Sequence, residues 1–373
     1  MILFLHNRYR TTGGEERAVE DLMWLVREHL GEETELLERG SGRLSRGRAA
    51  AGLLAGGLAP DEVASAVRRT RARVLHAHNL HPTLGWRALA AARRAGARVV
   101  LHLHQYRLVC AVGVCFTRGQ DCTRCHGRNT LPGLALNCRG SAAEALAYGA
   151  GLALWQRRLA ACVDAFVVPS HFALTRLTEL GAPVASAHVV GHVVRSIAAE
   201  PAPGGGGYAL VAGRLAPEKG VEVAIAACRL AGLPLVVAGD GPLRATLERH
   251  ARAGERDSVR FTGPLDAAGL ARLRREAAVA LVPSRFAETF GLAAAEAMGA
   301  GLPVAASRIG ALPELVPETG LAAPGDARAL AQAITRLLRA RPEAGAEALA
   351  RVRATAAPAA IAPALRAVYD GST

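Results

Sequence analysis

The chain has 373 residues, more than the roughly 250 to 300 at which a single core stops growing, so two domains of about 150 to 200 residues each are expected. Its formal charge of +13 rests almost wholly on arginine, Lys219 being the only lysine among 45 basic residues, and that balance fits nucleic acid, an anionic membrane face or phosphorylated small molecules alike. Aromatic residues make up only 4% of the chain, which leaves few rings to stack bases and argues against a nucleic-acid reader.

The opening run is followed at once by His6, Asn7, Arg8 and Arg10, so it is too short for a signal-peptide core and reads as a buried first strand, Ile2 to Leu5. The apolar stretches at 49–59 and 142–154 fall short of the roughly 20 residues that span a bilayer. A soluble, cytoplasmic protein is expected, with contact at the inner membrane face as the one membrane option. After the first strand, the pair Gly13 and Gly14 lets the backbone approach a phosphate or an acceptor, and a helix from about Glu15 turns its N-terminus to the same place. A plain turn is the alternative for an isolated glycine pair.

Strands are predicted next at Val74 to Ala77, Val99 to Leu103 and Ala165 to Val168, each followed by a loop and a helical pattern, as in parallel sheets covered by helices. His76, His78 and Asn79 close the first of these. Alternation puts His102 and His104 on one face, with His104 nearer the strand's carboxyl end; a core role suits His102 better.

The loop 106–140 holds five of the seven cysteines, in the spacing Cys110-x11-Cys122-x2-Cys125-x12-Cys138 with Cys115 as an extra thiol. Four thiolates so spaced suit a closed structural zinc site, with an iron–sulfur cluster or reduced thiols as alternatives, and Cys115 or His126 could replace a ligand. No cofactor is expected for catalysis.

Pro201, Pro203 and the run Gly204 to Gly207 mark a flexible break, which divides the chain into domains at 1–195 and 206–355 and leaves a tail at 356–373. The second domain has predicted strands at Tyr208 to Ala212, Leu235 to Ala238, Val259 to Thr262, Val279 to Val282 and Val304 to Ala306. In the tail, Pro363 is suited to open a helix to Tyr369 that packs back on the first domain. The expected class is α/β, two doubly wound Rossmann-like domains facing across a cleft.

The first strand of the second domain runs into Gly213-Arg214-Leu215-Ala216-Pro217-Glu218-Lys219-Gly220, where Arg214 and Lys219 can reach one anion near a helix N-terminus. A chain that otherwise uses arginine keeps an ammonium at 219, a compact point charge for phosphate. Gly239 and Gly263 end the next two strands and offer backbone close to a base or ribose. In Glu288-Thr289-Phe290-Gly291-Leu292-Ala293-Ala294-Ala295-Glu296, a loop carboxylate precedes a helix whose second turn carries another, on the order of 10 Å away, the length of a nucleotide-sugar. Unpaired N–H groups between them suit a diphosphate without a metal.

These segments resemble the retaining, GT-B-fold glycosyltransferases of family 4, and the likeness covers nearly the whole chain. It implies transfer of a hexose-type sugar from a nucleotide diphosphate donor to a hydroxyl of a saccharide, lipid-linked or small-molecule acceptor. By resemblance, Arg214 and Lys219 hold the diphosphate, Glu288 and His104 contact the donor sugar, and Glu296 binds ribose. The family often has Asp after the histidine, where this chain has Gln105. Cysteine-bearing loops occur in a subset of the family, so the cluster sits with the resemblance; because the loop follows His104 directly, it is expected to cover the acceptor mouth. Two rivals are a nucleotide-sugar epimerase of the same fold, which would need acid and base groups around the sugar ring, and a basic zinc-bearing nucleic-acid binder, which leaves Glu288 and Glu296 unexplained.

Overall fold

The computed structural model describes residues 1–8, 13–42, 44–201, 207–252 and 258–372. Two compact units are present. Unit 1 comprises Met1–Thr117, Cys122–Val193 and Ile361–Thr373, and unit 2 comprises Arg118–Asp121 and Val194–Ala360. The run Gly204 to Gly206, on which the predicted break rests, lies outside the described residues.

The strands, in chain order, are β1 (Ile2–Arg8), β2 (Thr34–Gly40), β3 (Val74–Ala77), β4 (Arg98–His102), the short pair β5 (Phe116–Thr117) and β6 (Gln120–Asp121), β7 (Ala165–Val168) and β8 (Ala187–Val189). In unit 1 the order across the sheet is β2-β1-β3-β4-β7-β8, and every pairing is parallel. Central strands such as β3 and β7 are buried at every position, which is why they read as unbroken apolar runs. Strand β2 escapes sequence reading because it lies at the sheet edge and carries Glu35, Glu38 and Arg39.

Unit 2 contributes β9 (Ala209–Ala212), β10 (Leu235–Ala238), β11 (Val259–Gly263), β12 (Val279–Val282), β13 (Val304–Ser307) and β14 (Leu321–Ala322), again all parallel. Their order, β11-β10-β9-β12-β13-β14, is that of a dinucleotide-binding sheet. The order reverses between β9 and β12. Such sheets bind ligands at the carboxyl ends of the strands beside that reversal, and the two most distinctive motifs of the chain follow β9 and β12.

The last helix corrects the expectation at Pro363. It runs Pro358–Asp370, with Pro358 as the opening residue and Pro363 in its interior. Its Ile361, Leu365, Val368 and Tyr369 are buried in one cluster with Ile2, Phe4 and Leu22 of unit 1. Among the described residues, no helix is long and apolar enough to cross a membrane.

Candidate active site

In unit 2, β9 leads through Gly213 and Arg214 to a turn, Pro217–Lys219, and then to the helix Val221–Ala231. Gly220 caps that helix at φ 63°, and a Cβ there would stand 2.1 Å from the carbonyl oxygen of Pro283, so only glycine lets the two loops touch. Arg285 N–H donates to the Glu218 carbonyl at 2.8 Å, joining the same loops. Gly310 does the equivalent on the other side, where a Cβ would lie 2.4 Å from the Glu288 nitrogen, and Ala311 N–H donates to the Glu288 carbonyl at 2.8 Å. The Glu288 loop is thus clamped by backbone from two directions.

Lys219 Nζ donates to Glu288 Oε1 at 2.7 Å, and the Ser284 hydroxyl donates to the same oxygen at 2.7 Å. The ammonium also lies 4.8 Å above the Phe286 ring, a cation–π contact. Arg214 pairs with Glu218 four residues on. The expected pair of cations facing one anion is therefore observed with each cation already on a carboxylate. Sequence reasoning missed Glu218 and Ser284 as partners.

Gly291, at φ 95°, caps the helix Leu292–Gly299, and Glu296 stands on its second turn as predicted. Its carboxylate is paired with Arg274, near the end of the helix Ala267–Glu276, and both side chains are nearly buried. Removing one partner of a buried pair strands the other charge. Arg274→Ala is therefore expected to destabilise the protein by about 3 kcal/mol in urea unfolding; an unchanged midpoint would show that the pair does not hold Glu296 in place. Thr289 and Phe290 lie between Glu288 and this helix, with Phe290 buried against the core.

The glycines at the neighbouring strand ends behave differently from expectation. Gly213 N–H donates to the Ala238 carbonyl and Gly239 N–H to the Gly263 carbonyl, both at 2.9 Å. Those two amides extend the sheet ladder and are not free for a ligand. Of the three, Gly213 is exposed with nothing beside its Cα, whereas a Cβ at Gly239 would lie 1.9 Å from the Gly213 carbonyl oxygen and Gly263 is buried.

In unit 1, Gly13 precedes the helix Gly14–Leu25, and its N–H donates to Glu16 Oε2 at 2.8 Å, one half of a capping box, since glycine has no side chain to return the bond. His104 lies two residues beyond β4, which ends at His102 and not at Leu103. The two rings stack at 4.2 Å between centroids, 7° from parallel, and His192 stacks on both. His78 Nδ1 meets His104 Nε2 at 2.8 Å, and the Tyr369 hydroxyl meets His76 Nδ1 at 2.7 Å. Neither ring nitrogen of buried His102 has a hydrogen-bond partner, so it is not the satisfied core histidine expected.

Ligand nitrogens within 4.8 Å of one another occur in two triads, His76 with His78 and His102, and His102 with His104 and His192. In the second, the rings lie within 13° of parallel. Parallel rings aim their in-plane lone pairs into separate layers, so this triad stacks and does not chelate. Burial pushes His76 down to about 3 and His192 to about 4. Burial first, and neighbouring imidazoles second, hold His78, His102 and His104 well below the ordinary imidazole range. All five are neutral at physiological pH. Sequence reasoning missed His192 as a member; its available signal was its place just beyond a parallel strand.

Cys110, Cys115, Cys122, Cys125 and Cys138 line a single pocket in unit 1, none of them in a disulfide. A hydrogen bond from Cys115, followed by backbone N–H groups of the 112–115 turn, lowers the Cys110 thiol to about 6. His126, an alternative ligand by sequence, turns its Nε2 to the Glu179 carbonyl at 3.1 Å and does not line the pocket.

Comparison with known proteins places both units beside glycosyltransferases. Residues 25–192 match the glycosyl transferase 4-like domain, and residues 206–340 match the glycosyl transferases group 1 family. The chain carries these two glycosyltransferase domains in tandem. A GDP-mannose-dependent alpha-(1-6)-phosphatidylinositol dimannoside mannosyltransferase of Mycobacterium tuberculosis is 42% identical over 149 residues, which is 38% of this chain and 38% of that protein. The match thus spans well under half the length of that relative. Across the whole fold, sucrose-phosphate synthase from Thermosynechococcus elongatus superposes with a TM-score of 0.70 at 20% identity, covering 99% of this chain and 98% of the other. HepE from Anabaena, in complex with UDP-glucose, gives 0.66 at 18% identity, with 99% of each chain covered. The fold is that of the GT-B glycosyltransferases.

Proposed function

We propose that the protein is a glycosyltransferase that moves a hexose from a nucleoside diphosphate to an acceptor hydroxyl, with retention of anomeric configuration. The observation that carries this reading is the Lys219–Glu288–Ser284 cluster at the reversal of strand order in unit 2. An ammonium held by a carboxylate is ready to exchange that partner for a diphosphate. Arg214, on Glu218, can do the same. As Lys219 turns to phosphate, Glu288 is released to accept hydrogen bonds from sugar hydroxyls, with Ser284 still fixing one oxygen.

Glu296 is assigned the ribose hydroxyls, and the backbone from Thr289 through Gly291 to Leu292 is assigned the diphosphate, where first-turn N–H groups lack acceptors within the helix. Gly239 and Gly263, at the ends of β10 and β11, are assigned the base or ribose. In unit 1, His104 is assigned the donor sugar, its ring oriented by His78; being neutral, it can donate or accept a hydrogen bond without adding charge. Gly13 and Gly14 let backbone approach the ligand there.

None of the assigned residues is placed as a nucleophile, so the departing phosphate oxygen serves as the base for the acceptor hydroxyl. Arg214 and Lys219 then stabilise the charge that develops on it. The named relatives, one GDP-mannose-dependent and another structure holding UDP-glucose, support a nucleotide-sugar donor. The acceptor is a saccharide, a lipid-linked sugar or a small molecule.

Thermal-shift measurement against UDP-, GDP- and ADP-sugars tests the donor site. One nucleotide class should raise the melting temperature by several degrees, since a ligand at about 100 times its Kd adds roughly 2.7 kcal/mol. Glu296→Gln, which keeps the shape beside Arg274, and Lys219→Ala should each abolish most of that shift. If no nucleotide stabilises the protein, or if neither substitution matters, the site is misassigned.

A further inference from the structure

The cysteine pocket is not used by the transfer chemistry and stands apart from that reading. Five thiols converge on it from a loop whose regular structure is limited to two-residue strands and the five-residue helix Leu131–Ala135. Cys110 and Cys115 are anchored in the core of unit 1, but the segment that carries Cys122, Cys125 and Cys138 has only these short elements. Gly133 brings the helix against the pocket: a Cβ there would lie 2.3 Å from that of Ala111 and 3.6 Å from Cys125 Sγ.

We propose that Cys110, Cys122, Cys125 and Cys138 ligate an iron–sulfur cluster that fastens this loop.

The spacing of the thiols separates a cluster from a single ion. A Zn–S bond of about 2.3 Å sets tetrahedral sulfurs roughly 3.8 Å apart. Among the described residues, the metal-ligating groups that close to within 4.8 Å are the histidine triads alone, so no three of these thiols do. A cluster holds its cysteine sulfurs farther apart than one ion does, and thiols that line one pocket without any three closing to within 4.8 Å suit that wider spacing.

Cys115 is the fifth thiol and not a ligand. It is buried, and its S–H is directed to the Cys110 sulfur, as are backbone N–H groups of the 112–115 turn. Hydrogen bonds to ligating sulfur are the usual surroundings of such clusters. Cys122 and Cys138 are half-buried, which gives iron and sulfide a route in. Arg124 lines the pocket and Arg139 donates to the Ala111 carbonyl at 2.7 Å, placing cations beside a tetrathiolate centre of net negative charge.

The test is metal and sulfide analysis of the full chain, expressed with iron supplementation and purified without oxygen. Iron and acid-labile sulfide should appear in about equal amounts, roughly two to four of each per chain, with a visible charge-transfer absorption that bleaches on exposure to air. Cys122→Ser combined with Cys125→Ser should lose at least nine-tenths of the iron, and Cys115→Ser should keep most of it. Should the double variant fail to fold, Cys138→Ser alone gives the same readout. One zinc per chain and no sulfide would overturn the proposal, as would a metal-free wild-type chain or iron that survives loss of Cys122 and Cys125.

Discussion

Replacing Lys219 by alanine is expected to lower kcat/KM about 100- to 1,000-fold, the loss seen when one preorganised charge-stabilising group is removed from a transfer site. The loss should fall mainly on kcat, because charge on the leaving diphosphate grows towards the transition state and the ammonium gains most there. Stability should hardly change. The Lys219–Glu288 pair is partly open to solvent, with 32% of the lysine side chain exposed, and pairs of that kind contribute about 1 kcal/mol or less. Lys219→Arg should recover less than a tenth of the activity. The ammonium sits 4.8 Å above Phe286 and 2.7 Å from Glu288, and a planar guanidinium needs more room than that. Steady-state kinetics on the donor found by thermal shift decides the matter: an alanine variant with more than half the activity would remove Lys219 from the reaction.

What the sequence revealed depended on how local the signal was. Strands β3, β7, β10 and β12 were visible because both faces are covered, so each is an unbroken apolar run bounded by loops. Edge strand β2 carries charges on an unpartnered side and looks like a loop. The Glu288 and Lys219 segments were legible because their glycines and charges stand within a few residues of one another. Arg274 was not: it is one arginine among many and lies 22 residues before the carboxylate it pairs with. The histidine array was hidden for the same reason. His76, His78, His102 and His104 are near one another in sequence, but His192 joins them only when parallel strands bring their carboxyl ends together. The clamps at Gly220 and Gly310 are contacts between loops, and no pattern along the chain announces them.

That array leads to the second large effect, an early loss of stability in acid. His76, His78, His102, His104 and His192 are all held below the ordinary imidazole value in the folded protein, His76 at about 3 and His192 at about 4. In the unfolded chain each takes up a proton near pH 6.5. Below that pH the unfolded state binds more protons than the folded one, so stability is full above about 6.5 and falls as the pH drops towards the folded values. Each buried imidazole contributes a slope of about 1.4 kcal/mol per pH unit in that window. Five together would exhaust a typical stability of roughly 5 to 15 kcal/mol within about two pH units. Urea or thermal melts followed by circular dichroism should therefore show the midpoint falling steeply between about pH 6.5 and 4.5. His102→Leu should flatten the slope by about one proton, because neither nitrogen of that ring has a hydrogen-bond partner to lose. A midpoint that stays level from pH 7 to 5 would mean that the array opens to water or shares protons internally, and its imidazoles would then be available to titrate during transfer.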